Sequence, residues 1–504
     1  GKIDVAAGGT VSLGSTATLT NAGPITINSN LNSYGSFVMA GDYSSSGLYH
    51  SFEYGRHING VSNGWDLVGS PLDGVSISSF ISSNGDIASQ TVDGTDWYAV
   101  GTYTNTTAAY SSGQGWTNYN ENTVGSAGNF TTAKGYQMAG PGTSGAKVEF
   151  SGTPLTADQS IIVTNNEAGG EGDQNSANGT KFNIVANPFP GFITVAGFIN
   201  AQTGLHSGHS AVYGWNGSSY DTYNLLNGGY ISPGQGFVVG TVGPSGTNTT
   251  INFPVSILSA SANGANDFVS DSMNDSSIVD ISFNQNGFNQ TTKIGFHDEG
   301  SDSLNYGYDA SVLSMGVNSI YSRILDQTDG SYNLSIQTLA YSEMWDKVIP
   351  LGINALGGEE MTISISHRTT PADLNIYLED TEEGTMTNLL DGDYVLTPTS
   401  DLEGVGRFFI HMTADTMSNG EVSTSMLNAY KEIDASYITI EGLATQTNET
   451  KVSLYNILGR EVFSTTLNNN MGTQTISTVG LSTGIYVIEL ESGSDRLTKK
   501  LLIQ

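Results

Sequence analysis

The sequence predicts an all-β protein of tandem β-sandwich or jelly-roll-like modules ending in an Ig-like C-terminal β-sandwich. Three observations carry that expectation. Glycine supplies 63 of 504 residues, and tight turns need residues tolerant of positive φ. The chain has 24 Tyr, and only 13% of its residues are charged, a balance that favours folded, strand-rich structure over an acidic disordered chain. Short runs alternating apolar and polar residues recur between turn signals, and no amphipathic helix of useful length interrupts them.

Residues 1–60 read as a β-strand-rich segment. GGTVSLGSTATLTNAGPITINSN alternates small polar and apolar residues, with turn punctuation at Gly8-Gly9 and Gly23-Pro24. Residues 61–257 read as a duplicated unit, with copies at 61–155 and 181–257. WDLVGSPL (65–72) matches FNIVANPF (182–189) position by position, AKGYQM (133–138) resembles PGQGFVV (233–239), and KVEF (147–150) resembles TINF (250–253). Each copy runs strand, variable loops, Gly-aromatic strand, closing strand. The proline ends the first strand because it cannot donate to a sheet ladder.

Residues 258–413 read as an antiparallel β-sandwich. Its strand candidates are SIVDISF, KIGFHD, SYNLSIQTL, EMTISIS, LNIYLED and RFFIHM, separated by turn signals such as Asp329-Gly330 and Gly357-Gly358. Residues 414–429 are small and polar and read as a linker. Residues 430–504 are compact, with strands YITIEG, KVSLYNI, REVFSTTL, TQTIST, GIYVIEL and RLTKKLLIQ. In GIYVIEL, Tyr486, Ile488 and Leu490 share one face, and Ile485 and Val487 the other.

Charge and composition exclude several roles. With 48 acidic and 16 basic residues the formal net charge is −32. That argues against nucleic acid as a partner and against adhesion to anionic membranes. The absence of cysteine removes disulfide frameworks, thiolate metal sites and cysteine nucleophiles. No apolar run reaches the ~18 residues of a transmembrane helix. The chain starts at Gly1 with no signal peptide in view, so it reads as a processed or truncated product.

Chemistry-bearing motifs are few, and each has a plainer reading. Gly480-Leu481-Ser482-Thr483-Gly484 fits G-x-S-x-G, but a nucleophile elbow needs a strand before it and a helix after it; a plain turn is expected. His206 and His209 form H-S-G-H, without the helix and glutamate of a zinc protease, and read as surface-loop histidines. Glu379-Asp380 and Glu382-Glu383 flank a hairpin turn and read as a solvated acidic turn, not as carboxylates facing across a glycosidic bond. DEGSDSLNYGYD (298–309) offers oxygens of the kind calcium takes, without EF-hand order, so no ligand is assigned. Otherwise no cofactor and no enzymatic activity are expected. Trp97, Trp116 and Trp215, in loop-rich parts of the duplication, are the candidate contacts to surface glycans.

The tail carries a resemblance. KVSLYNILGREVFSTTL, LSTGIYVIEL and RLTKKLLIQ follow one another at the chain end. This succession resembles the C-terminal sorting domain of Bacteroidetes type IX secretion substrates. The family shows a strand ending in a Gly-Arg turn, here Gly459-Arg460. A Leu-x-x-Gly-x-Tyr strand start follows, here Leu481, Gly484 and Tyr486, then a basic-apolar final strand, here Arg496, Lys499, Lys500 and Leu501. Members usually open with a Pro-Asn-Pro turn, where this chain has NAYKEIDASYITIEG. Upstream, WDLVGSPL, VYGWNGSSYDTYN, ISPGQGFVV and YLEDTEEGTMTNLLDGDYVLTP with Arg407-Phe408-Phe409 resemble modules of large secreted proteins of the same group. Asp271-Ser272-Met273, Asp302-Ser303-Leu304 and Asp415-Thr416-Met417 resemble the short O-glycosylation acceptors of that phylum.

The resemblance implies a secreted, outer-membrane-associated cell-surface protein with a structural or adhesin-like body. Its tail would be received by an outer-membrane β-barrel shuttle and the translocon, and often removed when the cargo is anchored to lipopolysaccharide. It also suggests why so acidic a chain ends in lysines: a receptor's acidic groups would meet Lys499 and Lys500, while the cargo's own charge keeps the cargo off that site. Two other roles remain open, the accessory region of a larger secreted enzyme and a subunit or long-lived occupant of the translocon.

Overall fold

The computed structural model describes the chain except residues 1, 22, 46–50, 59–63, 107–114, 142–145, 168–178, 218, 261–267, 270–276, 314–317, 325–331, 415–426, 432–435, 442, 444–447, 457–459, 469–472, 494 and 504. The protein is all-β, and among the described residues it has two short α-helices and a few 3₁₀ turns. It divides into two compact units, Gly1–Ser276 with Asn305–Ser314, and Ser277–Leu304 with Met315–Gln504.

The first unit opens with parallel pairing, where sandwich modules would pair antiparallel. Ile3–Val5 pairs with Ile25–Ile27, which pairs with Phe52–Ile58; Thr10–Leu13 pairs with Ser36–Met39, and Thr18–Asn21 with Asp42–Ser45. Successive turns of chain therefore stack as solenoid rungs, with Ile25, Ile27, Phe37, Phe52 and Tyr54 buried inside. The rungs approach closely at Gly41, where an added Cβ would meet the Ala17 carbonyl oxygen at 2.2 Å. Only glycine fits there.

The duplicated motif occupies matching strands. In the first copy these are β1 (Trp65–Val68), β2 (Thr95–Tyr103), β3 (Trp116–Asn120) and β4 (Tyr136–Ala139), in sheet order β3-β2-β4-β1. In the second they are β5 (Phe182–Ala186), β6 (Val212–Trp215), β7 (Tyr220–Tyr223) and β8 (Gly236–Gly240), in order β7-β6-β8-β5. A short helix follows the first strand of each copy: α1 (Ile77–Ser83), capped by Ser76 Oγ, and α2 (Val195–Asn200), capped by Thr194 Oγ1. Helices this short show no readable periodicity, which is why the sequence pattern does not reveal them. The copies interlock reciprocally. Val68 bridges Gln235 and Val185 bridges Lys134. Gly69 and Ala186, equivalent in the motif, meet so closely that a Cβ on Gly69 would lie 2.4 Å from Ala186 Cβ.

Beneath that junction lies a fully buried cation. Arg56 Nη1 donates to Pro233 O at 2.6 Å, Nη2 donates to Gln235 Oε1, and Asp66, itself buried, lies 3.9 Å away. The Tyr34 ring packs 5.1 Å from the guanidinium carbon. His209 departs from the surface-loop expectation: it is buried, edge-on to Phe182, with Nδ1 2.9 Å from Tyr213 Oη. Burial pushes its imidazole well below the ordinary range, with Lys181 and His206 adding repulsion, so the folded unit holds His209 neutral.

The second unit contains β9 (Ser277–Gln285), β10 (Phe288–His297), β11 (Ser319–Arg323), β12 (Asn333–Ala340), β13 (Asp346–Asn354), β14 (Met361–Arg368), β15 (Asn375–Asp380), β16 (Thr385–Asn388), β17 (Tyr394–Leu396) and β18 (Val405–Thr413). They form one sheet in the order β16-β15-β18-β13-β11-β12-β10-β9-β14-β17. Pairing is antiparallel except between β10 and β12. The sheet curls around a single core: Ile281, Phe283 and Ile363 from one end pack in one cluster with Ile376, Leu378 and Ile410 from the other.

The tail of the same unit is a two-sheet sandwich. One sheet is β19 (Asn428–Tyr430), β20 (Tyr437–Glu441) and β23 (Thr473–Ser477), in order β19-β20-β23. The other is β21 (Thr450–Asn456), β22 (Glu461–Leu467), β24 (Gly484–Ser492) and β25 (Asp495–Ile503), in order β22-β21-β24-β25. Ile438, Ile440, Val452, Leu454, Ile488 and Leu490 fill its core.

Candidate functional site: the terminal strand and its surroundings

The last strand is an edge strand of its sheet, paired with β24 from Gly484↔Ile503 to Ser492↔Asp495. The two-residue period of a strand sorts its side chains. Leu501 and Ile503 join Tyr486, Ile488 and Leu490 in the tail's core, with Leu497 packed against it. Lys499 lies across from Ile488 on that same face, so its stem follows apolar surface while the ammonium reaches outward. Lys500 and Leu502 lie on the outer face, across from Val487 and Ile485. Arg496 is exposed and pairs within the hairpin, with Glu489 and, at 3.5 Å, Glu491.

The Leu-x-x-Gly-x-Tyr start has a local mechanical basis. Leu481 packs against the tail core, and Tyr486 Oη donates back to Ser482 O at 2.9 Å. That bond closes the turn into β24. The same geometry makes the G-x-S-x-G match a turn: the chain after Ser482 enters a strand, not a helix. Arg460 sits at the turn between β21 and β22, its N–H donating to Asn456 Oδ1 at 3.0 Å. Gly459 lies outside the described residues.

Beside β25 the sandwich contributes β15 and β18. A cleft of 570 Å³ is lined by Gly404–Phe408, Glu382 and Asp401 on the sandwich side and by Tyr430, Lys431 and Lys499–Leu502 on the tail side. Burial pulls Lys499 and Lys500 below the usual lysine range, and the field of Glu379 on both, with Asp346 on Lys500, pulls the other way. The acidic groups these lysines meet in the folded chain are therefore the cargo's own.

Glu382 and Glu383 form the solvated turn that the composition suggests, but the strand end before them departs from it. Asp380 is fully buried. Arg407 grips it with Nε at 2.9 Å and Nη2 at 2.7 Å, Tyr394 Oη donates to it at 2.5 Å, and Arg407 also pairs with Glu382. Glu379 Oε2 lies 2.7 Å from His411 Nε2. The sequence offers no local signal for this, because Arg407 enters from a distant strand.

The three tryptophans are not gathered. Trp97 is exposed and pairs across from Gln90 and Asn120. Trp116 pairs with Tyr103 at the other end of β2, its ring 5.1 Å away. Six residues of strand separate Trp97 from Tyr103, about 20 Å. Trp215 serves the inter-copy junction, its indole N–H donating to Trp65 O at 2.9 Å and its ring against Tyr220. In the oxygen-rich loop, Asp302 pairs with Lys347, and Asp309 accepts from Asn305 N at 2.7 Å. Among the described residues no group of three or more His, Asp or Glu is placed to hold a metal ion, and no helix is long and apolar enough to cross a membrane. Of the acceptor-like tripeptides only 302–304 falls within the described residues, with Ser303 exposed.

Two family models match the chain. One, a domain of unknown function (DUF8693), covers residues 209–412, from the second copy of the duplication through the sandwich. The other, the secretion system C-terminal sorting domain, covers residues 434–504. No curated protein matches the chain. The second match spans six of the tail's seven strands, β20 to β25, so residues 434–504 are a C-terminal sorting domain and the chain is a substrate of the type IX secretion system.

Proposed function

We propose that the protein is a non-enzymatic, structural or adhesin-like component of the cell surface, associated with the outer membrane. Its sorting domain is received there by a β-barrel shuttle through β25. The sorting domain at the chain end carries the proposal: it implies export to the cell surface or the extracellular space and interaction with the type IX machinery. The shape of β25 supports the finer reading. An edge strand offers free backbone groups for strand addition, and its side chains supply the specificity. Lys499 and Lys500 add the charge that an acidic receptor groove selects. The body supports the structural reading through its stacked rungs and interlocked copies.

The test is capture from outer membranes with the full chain as bait, against a Lys499→Glu/Lys500→Glu variant. A β-barrel outer-membrane protein is expected with the native chain and is expected to be depleted with the variant. Equal recovery by both would remove β25 from the recognition surface.

A further inference from the structure

At the end of the β24–β25 hairpin where Ile485 pairs with Leu502, both faces are buried. One belongs to the tail's own core. On the other, Ile485 and Leu502 lie across from each other in the register. They are 9% and 8% exposed, yet neither belongs to that core. The outer face of a lone sandwich is open to water, so apolar residues buried there need a cover. For Leu502 the cover is the neighbouring domain: a Cβ placed on Gly406 would lie 3.8 Å from Leu502 Cδ2. Residues 404–408 line the same cleft as Lys499–Leu502. Charge matches across the seam, with Lys499 and Lys500 under the fields of Glu379 and Asp346.

We propose that the sandwich surface around Gly406, Glu379 and Asp346 is a docking site for the outer face of this chain's own β24–β25 hairpin, a latch that masks the sorting strand in the folded cargo. The inference rests on the reading of β25 as the strand the export receptor grips. The seam has the character of a separable contact. The sandwich core and the tail core form separate clusters, the cleft lies between them, and the remaining attraction is between partly hydrated charges that salt screens. Opening it presents Ile485, Val487, Lys500 and Leu502 together, an apolar and basic surface at the end of an edge strand. A receptor that binds this face competes with Glu379 and Asp346 for Lys500. Recognition is thereby coupled to displacement of the cargo domain.

The chain has no cysteine, so a single introduced thiol reports the latch. Leu502→Cys and, as an exposed reference in the same tail, Val479→Cys (79% exposed) are labelled with a maleimide in the full-length protein. The thiol at 502 is expected to react at least about tenfold more slowly than that at 479, as protection by a closed local equilibrium requires. Adding Glu379→Gln and Asp346→Asn, or raising the salt, is expected to bring the two rates together while circular dichroism stays unchanged. Equal rates in the otherwise native chain, or a rate at 502 that ignores both charge removal and salt, would overturn the latch. The experiment needs no export machinery, so its failure leaves the sorting reading standing, while a failed capture experiment leaves the intramolecular contact standing and removes only its masking role.

Discussion

Replacing Arg56 by methionine is expected to destabilise the first unit by about 3–5 kcal/mol, the cost of stripping one partner from a buried ion pair. The guanidinium is fully buried and ties three segments together: the solenoid strand that carries it, Asp66 of β1, and the 232–235 turn before β8. Methionine fills much of the volume but leaves the Asp66 carboxylate in a low-dielectric interior without its cation. It also leaves Pro233 O and Gln235 Oε1 without this donor. Thermal or urea unfolding of the purified chain reads the effect. The double variant Arg56→Met/Asp66→Asn separates the two costs: most of the loss is expected to return if it comes from the stranded charge, and little if it comes from the lost hydrogen bonds.

Asp380→Asn is expected to cost about 2–4 kcal/mol in the second unit. The carboxylate is buried and accepts two bonds from Arg407 and one from Tyr394. Burial and the neighbouring carboxylate push the Tyr394 phenol above its ordinary range, so it stays protonated and donates. An amide presents one acceptor oxygen where the guanidinium fork needs two, and turns an N–H₂ toward a cation. Tyr394→Phe removes one neutral donor and is expected to cost about 1 kcal/mol. The ordering of these two variants in an unfolding titration checks the assignment. Equal losses would mean that the cluster is held by packing and not by the carboxylate.

Which parts of this architecture were legible in the sequence follows from how local their signals are. The six alternating runs of the sandwich are strands, because alternation is written within each strand. β13 was not visible: Pro350 and Gly352 break its pattern. Pro350 is tolerated because pairing with β11 ends at Leu351, so only its β18 side is laddered, and Gly352 sits at a register shift where an added Cβ would meet the Tyr321 ring at 2.1 Å. The solenoid rungs were readable as strands but not as parallel ones. All but Phe52–Ile58 are three or four residues long, and their direction of pairing depends on chain that returns about 25 residues later. Arg56 and Asp380 were invisible as sites for the same reason. Arg56 sits in an ordinary strand sequence and finds its partners far along the chain, and Asp380 sits in a run of acids identical in composition to a solvated turn. The sorting strand was legible because its motifs are contiguous. The surface it rests on was not, since Glu379 and Asp346 carry no local mark of facing a lysine.

The account depends on the terminal strand acting as the export label. The direct measurement is the location of a chain lacking residues 496–504, followed by fractionation of periplasm, outer membrane and medium in a type IX-competent host. The account predicts folded cargo retained in the periplasm, with surface and medium fractions depleted at least about tenfold, the factor expected when a recognition element worth 1.4 kcal/mol or more is lost. Undiminished arrival of the truncated chain at the surface would contradict it.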